Sequence, residues 1–175
     1  MLYWYVLHVK TGYEEKTADV LKRILGSSCY LPFVPMIEKA HKQNRVFSAV
    51  KKVIFPGYVF LQSESAGNVV LKEALPLIIR IKEIYKFLNY GEKTDIVMHE
   101  NERIALEKLL GPYFFLEGSS GSIEEGLVRV NRGALAGNEH KIKKVNRHKR
   151  EAVLEVDLMG NLHHITVALE IAEKN

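Results

Sequence analysis

Apolar residues follow strand and helix periodicities through the first 110 residues. Residues 3–9 carry aromatic and β-branched side chains on both alternating faces, which predicts a central strand. Thr11 and Glu14 have the spacing of a capping box, so a helix with Thr11 as its N-cap is expected to follow, and Gly26 is expected to end it.

The remainder of this region alternates between short elements. Because Glu38 to Ser48 is polar and basic, it is interpreted as a loop or a hairpin. The pattern predicts strands over 29–37, 50–62 and the end of 77–88, a short helix over 68–75 that stops near Pro76, and a helix over 99–110.

The pattern changes after Leu110. Gly111 and Pro112 end the last helix, and residues 117–122 have the composition of a flexible linker. Beyond it the pattern predicts only short strands, over 127–130, 141–145, 152–158 and 163–167. Four or five strands in about 50 residues indicate a small barrel, which closes its own sheet edges. The sequence therefore predicts an α+β chain with an N-terminal domain over 1–110, a linker over 111–122 and a β-barrel over 123–175.

Charge is strongly polarised within the second domain, although the whole chain carries a net charge of only +4. Residues 126–150 contain eight basic residues and one acidic residue, whereas residues 151–175 contain one basic and five acidic residues. Clustered Lys and Arg neutralise phosphates, so the basic half is a candidate nucleic-acid surface. The alternative is a solvated basic turn that pairs with the acidic half. The candidate RNA-binding residues are Arg129, Arg132, Lys141, Lys143, Lys144, Asn146, Arg147, His148, Lys149 and Arg150.

Enzymatic chemistry has no support in the sequence. It contains no Walker-type glycine loop, no cysteine pair and no metal-binding helix motif, so no catalytic residue, metal or cofactor is expected. His163 and His164 are adjacent in a predicted strand and point to opposite faces, which disfavours joint chelation. No apolar stretch approaches the length of a membrane span, and Cys29 is the only cysteine. We expect a monomeric, cytoplasmic protein.

Three motifs in order resemble the NusG family of transcription elongation factors. Residues 4–14 resemble the opening strand and helix start of its NGN domain, and residues 55–60 (FPGYVF) resemble its most recognisable N-terminal motif. Residues 126–137 resemble the KOW motif. The basic stretch from Lys143 to Arg150 is most like the specialised LoaP antiterminators. The resemblance implies an NGN domain, with an antiparallel sheet flanked by helices, followed by an SH3-like KOW barrel.

The resemblance also implies partners. In the family, the NGN domain binds the clamp helices of RNA polymerase through an aromatic and aliphatic depression. The matching positions here are Trp4, Phe55, Pro56, Gly57 and Tyr58. For Trp4 the alternative is a plain core position, because aromatic residues of central strands are usually buried. Pro56 and Gly57 are expected to break the strand and turn the neighbouring aromatic side chains outward.

Nucleic acids are the further expected partners. Candidates for contact with non-template DNA are Lys39, Lys42, Arg45, Lys51 and Lys52, although a plain polar loop is equally compatible. The basic barrel would bind nascent leader RNA, most simply a hairpin, and so promote processive antitermination. Two alternatives stay open: a housekeeping factor whose barrel binds a ribosomal or termination protein near Leu135 and Ala136, and a ribosome-associated KOW protein.

Overall fold

The computed structural model describes residues 1–26, 29–43 and 46–172. Contacts divide the chain into two compact units, hereafter the first unit (residues 1–35 and 55–105) and the second unit (residues 36–54 and 106 onward). In chain order the elements are β1 (Tyr3–Val9), α1 (Glu14–Leu25), β2 (Tyr30–Phe33), β3 (Met36–Gln43), β4 (Val46–Val53), β5 (Tyr58–Ser63), α2 (Gly67–Glu73), α3 (Leu75–Ile78), β6 (Ile84–Phe87), α4 (Glu100–Leu110), β7 (Phe115–Leu116), β8 (Ser119–Glu124), β9 (Leu127–Arg132), β10 (Ile142–Asn146), β11 (Glu151–Leu158) and β12 (Asn161–Ile171).

The first unit is built on a four-stranded sheet in the order β2-β5-β1-β6, and the pairings of β1 with β5 and β6 are antiparallel. The predicted central strand is confirmed, because β1 lies between β5 and β6. Tyr5, Leu7 and Val9 alternate onto one face of β1 and pack against Ala18 and Leu21 of α1. The predicted strand near residue 88 is confirmed as β6. The predicted short helix is confirmed as α2, which ends at Glu73 shortly before Pro76, and Pro76 itself lies in the first turn of α3.

The helix after β1 begins later than predicted. Its N-cap is Tyr13, which makes no side-chain capping hydrogen bond, so the prediction of Thr11 as N-cap is wrong. Glu14 is buried, and its Oε1 accepts a hydrogen bond of 2.7 Å from the backbone N–H of Gly57. The Glu14 carboxylate thus binds the backbone of the turn before β5, 43 residues away, and does not form a capping box. The helix ends before Gly26, as predicted.

The second unit contains two sheets. Strands β3 and β4 pair as an antiparallel hairpin, which confirms the hairpin interpretation of residues 38–48, and β7 pairs with β3 in parallel. The other sheet has five strands in the order β10-β11-β12-β8-β9. Along β11, alternate residues from Ala152 to Leu158 are buried and pair across β12, with Leu154 opposite Ile165. The apolar core of this sheet thus lies on one face, and the α+β class is confirmed.

The segment predicted as a linker is partly sheet. Residues 111–122 contain β7 and the first part of β8, so the prediction of a flexible linker over 117–122 is wrong. Gly121 serves close packing here: a Cβ at this position would lie 2.1 Å from the carbonyl oxygen of Arg129 on the neighbouring strand. Close packing of strands, and not flexibility, therefore requires glycine at position 121. The predicted domain boundaries at 110 and 123 stay predictions, whereas contacts group residues 36–54 and 106–122 with the second unit.

Candidate functional site

Two aromatic residues of the predicted polymerase site, Trp4 and Phe55, lie in the interior of the first unit. Trp4 is 0% exposed and Phe55 is 2% exposed. The Trp4 ring contacts Phe33 at a centroid distance of 5.0 Å, and its Nε1 donates a hydrogen bond of 3.1 Å to Gln62 Oε1. Phe55 packs on Phe60 at 5.8 Å. The prediction that the break at Pro56 and Gly57 turns Phe55 outward is therefore wrong, because the turn directs this ring into the core.

An accessible group of aromatic rings lies at the neighbouring positions of the same sheet. His8 is opposite Tyr58 in the register of β1 and β5, and their ring centroids are 5.6 Å apart. Tyr85 of β6 contacts His8 at 5.1 Å and is 59% exposed. We call His8, Tyr58 and Tyr85 the aromatic cluster. Of the residues predicted to bind polymerase, Tyr58 belongs to the cluster. Pro56, two residues earlier, is exposed, and Gly57 is buried.

Sequence reasoning missed His8 and Tyr85. The available signal was alternation along β1, because His8 lies two and four residues from Val6 and Trp4 and so shares their face. Tyr85 could not be found in this way, since its place next to His8 depends on the pairing of β6 with β1.

The candidate DNA-contacting lysines lie on both strands of the β3–β4 hairpin and do not share one face. Lys51 and Lys52 are both exposed and adjacent in β4, so they point to opposite faces. The Lys51 Nζ lies 5.4 Å from the centre of the Phe115 ring, and Lys39 is half-buried on β3. Lys42 lies on β3, and Arg45 lies outside the described residues.

The densest basic stretch of the second unit forms the connection between β10 and β11, as predicted. The backbone N–H of Lys149 donates a hydrogen bond of 3.1 Å to Asn146 Oδ1, and that of Arg150 donates one of 3.2 Å to the Arg147 carbonyl. Arg150 has a φ of 54°, a left-handed conformation that is uncommon for a residue with a side chain. We call residues 146–150 the basic turn. Within it, the Asn146 side chain has a structural role in shaping the turn.

Acidic neighbours engage three of the predicted RNA-binding cations. Arg129 pairs with Glu124 at 3.3 Å, Lys143 with Glu155 at 2.7 Å and Arg150 with Glu170 at 2.8 Å. The Lys143 ammonium, with help from His164, holds the pKa of Glu155 below its ordinary value. Partial burial lowers the pKa of Lys141. The sequence-level alternative of pairing with the acidic half therefore holds for part of the basic stretch.

A second subset of the basic residues is exposed and has no acidic side chain within ion-pair distance among the residues that the structure describes. This subset consists of Arg132, Lys144, Arg147, His148 and Lys149. Lys143 and Lys144 are both exposed because the ladder between β10 and β11 shifts register between Ile142 and Lys144. Available positive charge is thus concentrated at the basic turn and at Lys144 beside it.

A cavity of about 440 Å³ brings together residues from two predicted sites. Lys39 of the hairpin lines it together with Arg132 and Arg150 of the five-stranded sheet. Three acidic residues line the same cavity, Glu38, Glu117 and Glu170, so its formal charge is balanced. Glu38 Oε2 accepts a hydrogen bond of 2.9 Å from the backbone N–H of Gly118. This balance makes the cavity a weaker phosphate site than the basic turn.

Two classes of site have no counterpart in the described part of the chain. Residues 1–26, 29–43 and 46–172 contain no group of three or more His, Cys, Asp or Glu side chains placed to hold a metal ion. Within the same ranges, every helix is too short or too polar to cross a membrane.

Comparison with known proteins agrees with the motifs. Residues 2–106 match the family model for the transcription termination factor NusG. The transcription termination/antitermination protein NusG of Thermus thermophilus is 26% identical over 165 residues, which is 90% of each chain. The corresponding protein of Bacillus subtilis is 36% identical over 64 residues, 34% of this chain and 36% of that one.

The fold agrees as well. A solved structure of NusG from Thermotoga maritima matches 96% of this chain and 94% of its own with a TM-score of 0.53, at 18% sequence identity. The sequence order of the motifs, the two-unit fold and the family match over residues 2–106 lead to one conclusion. The chain belongs to the NusG family of transcription termination and antitermination factors.

Proposed function

We propose that this NusG-family protein promotes processive antitermination by holding RNA polymerase with its first unit and nascent leader RNA with its second. The main support for this proposal is a set of exposed cationic side chains that have no acidic partner in the described chain: Lys144, Arg147 and Lys149. Cations without a protein partner remain available to phosphates, and such contacts dominate RNA affinity. A compact basic turn also suits a structured RNA that is recognised by shape.

The polymerase contact is assigned to the aromatic cluster. Tyr85 and Tyr58 offer accessible rings with polar tips, the type of side chain that anchors protein interfaces. Trp4 and Phe55 are buried packing residues of the same unit and would not reach the clamp helices. Binding that favours the closed clamp over the open clamp would disfavour pausing and termination.

Non-template DNA is proposed as a secondary contact of the β3–β4 hairpin. Lys51 and Lys52 are exposed there, and opposite faces of β4 would allow only one of them to face a given strand. This contact would add affinity without selecting the transcript, because phosphates carry no sequence information.

The principal alternative is a housekeeping factor whose second unit binds a ribosomal or termination protein. That surface would need exposed apolar residues near Leu135 and Ala136. Ala136 is exposed, but Leu135, the larger apolar side chain of the two, is fully buried, which supports RNA over a protein partner at this position. The same basic turn is the reason for proposing that this chain is similar to the LoaP subgroup of the family.

A transcription assay tests the proposal. Templates with a terminator would be transcribed in vitro with the structured leader, with a scrambled leader or with none, in the presence and absence of the protein. Read-through should rise only with the structured leader. RNA affinity measured alongside should fall steeply with salt. Equal read-through on every template would overturn the proposal of RNA recruitment.

A further inference from the structure

A groove of about 1050 Å³ lies beside the basic turn. Three half-buried aliphatic side chains from three different strands line it: Ile123 of β8, Val145 of β10 and Ile171 of β12. Arg147 and His148 of the basic turn also line it. Asn146, Arg150 and Glu170 complete its polar part, so the groove places three aliphatic side chains beside charged and polar ones.

The backbone around the groove is firmly held. Arg150 also lines the groove, and its carbonyl accepts a hydrogen bond of 2.9 Å from the N–H of Leu169 on β12. Its guanidinium pairs with Glu170 at 2.8 Å. Glu170 also lines the groove and pairs with Arg150, whereas Arg147 has no acidic partner in the described chain and offers a positive charge to a ligand. Held backbone and available charge are the properties of a pre-formed site.

We propose that this groove accepts one unstacked nucleobase of the bound RNA. The inference rests on the proposed RNA-binding function and specifies its ligand as an unpaired nucleotide in a bulge or loop. An unpaired nucleotide offers an apolar base face next to an anionic phosphate, which complements an aliphatic lining beside Arg147. A fully paired duplex keeps its bases stacked and has no group to place against Ile123, Val145 and Ile171.

The test compares two RNA hairpins that differ by one unpaired nucleotide, with the full chain as the binding protein. The hairpin with the unpaired nucleotide should bind about tenfold more tightly, because the base face leaves water when it packs against the aliphatic side chains. A third hairpin with an abasic nucleotide at that position should lose the advantage. If it binds as tightly as the unpaired base, the backbone alone is being recognised and the inference is overturned.

A polar substitution in the groove gives an independent check. Ile171→Thr keeps the branched shape but makes the lining polar, so it should erase the preference for the unpaired nucleotide and leave affinity for the paired hairpin within about twofold. Val128→Thr on β9 is the matched control, because Val128 is half-buried in the same unit but does not line this groove. An unchanged preference in Ile171→Thr would show that RNA bases do not occupy the groove.

Two outcomes distinguish an error about the base-binding groove from an error about RNA binding itself. If both hairpins bind equally with a steep salt dependence, the basic turn binds RNA and only the base-binding groove is wrong. If neither hairpin binds the full chain, the proposed RNA-binding function itself is wrong.

Discussion

The two proposed surfaces relate differently to the sequence motifs that led to them. In the first unit, Trp4 and Phe55 form the interior, and the accessible rings belong to Tyr58 and to His8 and Tyr85, which lie on neighbouring strands. In the second unit, the charged residues of the basic turn, Arg147 and Lys149, are themselves on the surface. An apolar motif therefore indicates a binding surface only indirectly, because its own residues form the core. A charged turn consists of the surface residues themselves.

The largest expected effect comes from removing a core ring of the first unit, Phe55, which packs on Phe60. Phe55→Ala should lower the free energy of unfolding by about 3–5 kcal/mol, because a buried ring leaves a cavity. Polymerase binding would then be lost through misfolding. Chemical denaturation followed by the fluorescence of Trp4, the single tryptophan, measures this.

Tyr85→Ala is the matched variant for the same surface. Since Tyr85 is 59% exposed, the free energy of unfolding should change by less than about 1 kcal/mol, while polymerase affinity falls about tenfold. If Tyr85→Ala leaves polymerase binding intact, the aromatic cluster is not the contact surface.

A second large effect is expected from adding one methyl group within the second unit. Gly121→Ala would place Cβ at 2.1 Å from the Arg129 carbonyl oxygen, so β8 and β9 must separate. We expect a loss of about 3 kcal/mol or more in the free energy of unfolding. Gly126→Ala is the control, because its φ of +81° is strained but nothing lies within 4 Å of the added Cβ. A smaller loss for Gly121→Ala than for Gly126→Ala would contradict the strand packing described here.

The division of the basic residues into two subsets predicts an intermediate effect on RNA binding. Arg147→Ala with Lys149→Ala should lower RNA affinity about 10- to 100-fold and reduce the salt slope by about 2, because both cations are available to phosphates. Arg129→Ala with Lys143→Ala removes the same formal charge from residues paired with Glu124 and Glu155. That control should lose much less affinity in a salt titration, and equal losses would mean that only net charge matters.

The smallest expected effect is a pH dependence of stability. The pKa of Glu155 is lowered in the folded state, chiefly by the hydrogen bond from Lys143, so its contribution is present above the unfolded value of 4.5 and is lost as pH falls below it. Melting temperatures measured from pH 5.5 down to pH 3 should therefore decline less steeply in Glu155→Gln than in the unchanged protein. Added salt should shrink the difference, because the pair is exposed. Parallel declines of the melting temperature in the two proteins would show that this ion pair does not contribute to stability.

Local patterns predicted much of the fold because the forces involved act between sequence neighbours. Alternation identified β1, a glycine marked the end of α1, and five consecutive polar residues marked the basic turn. The polarised charge of the second unit was also visible in the sequence. These features require no knowledge of which strands pair.

Tertiary structure decided which of these residues remain available. The register of the strands placed Glu155 against Lys143 and Glu170 against Arg150, and it removed those cations from the exposed set. The turn at Gly57 directed Phe55 inward, and the Gly57 N–H donates a hydrogen bond to the carboxylate of Glu14, 43 residues away. Composition fixed how many charges and rings the chain carries, but burial and ion pairing depend on contacts between distant residues, and only the folded chain forms those contacts.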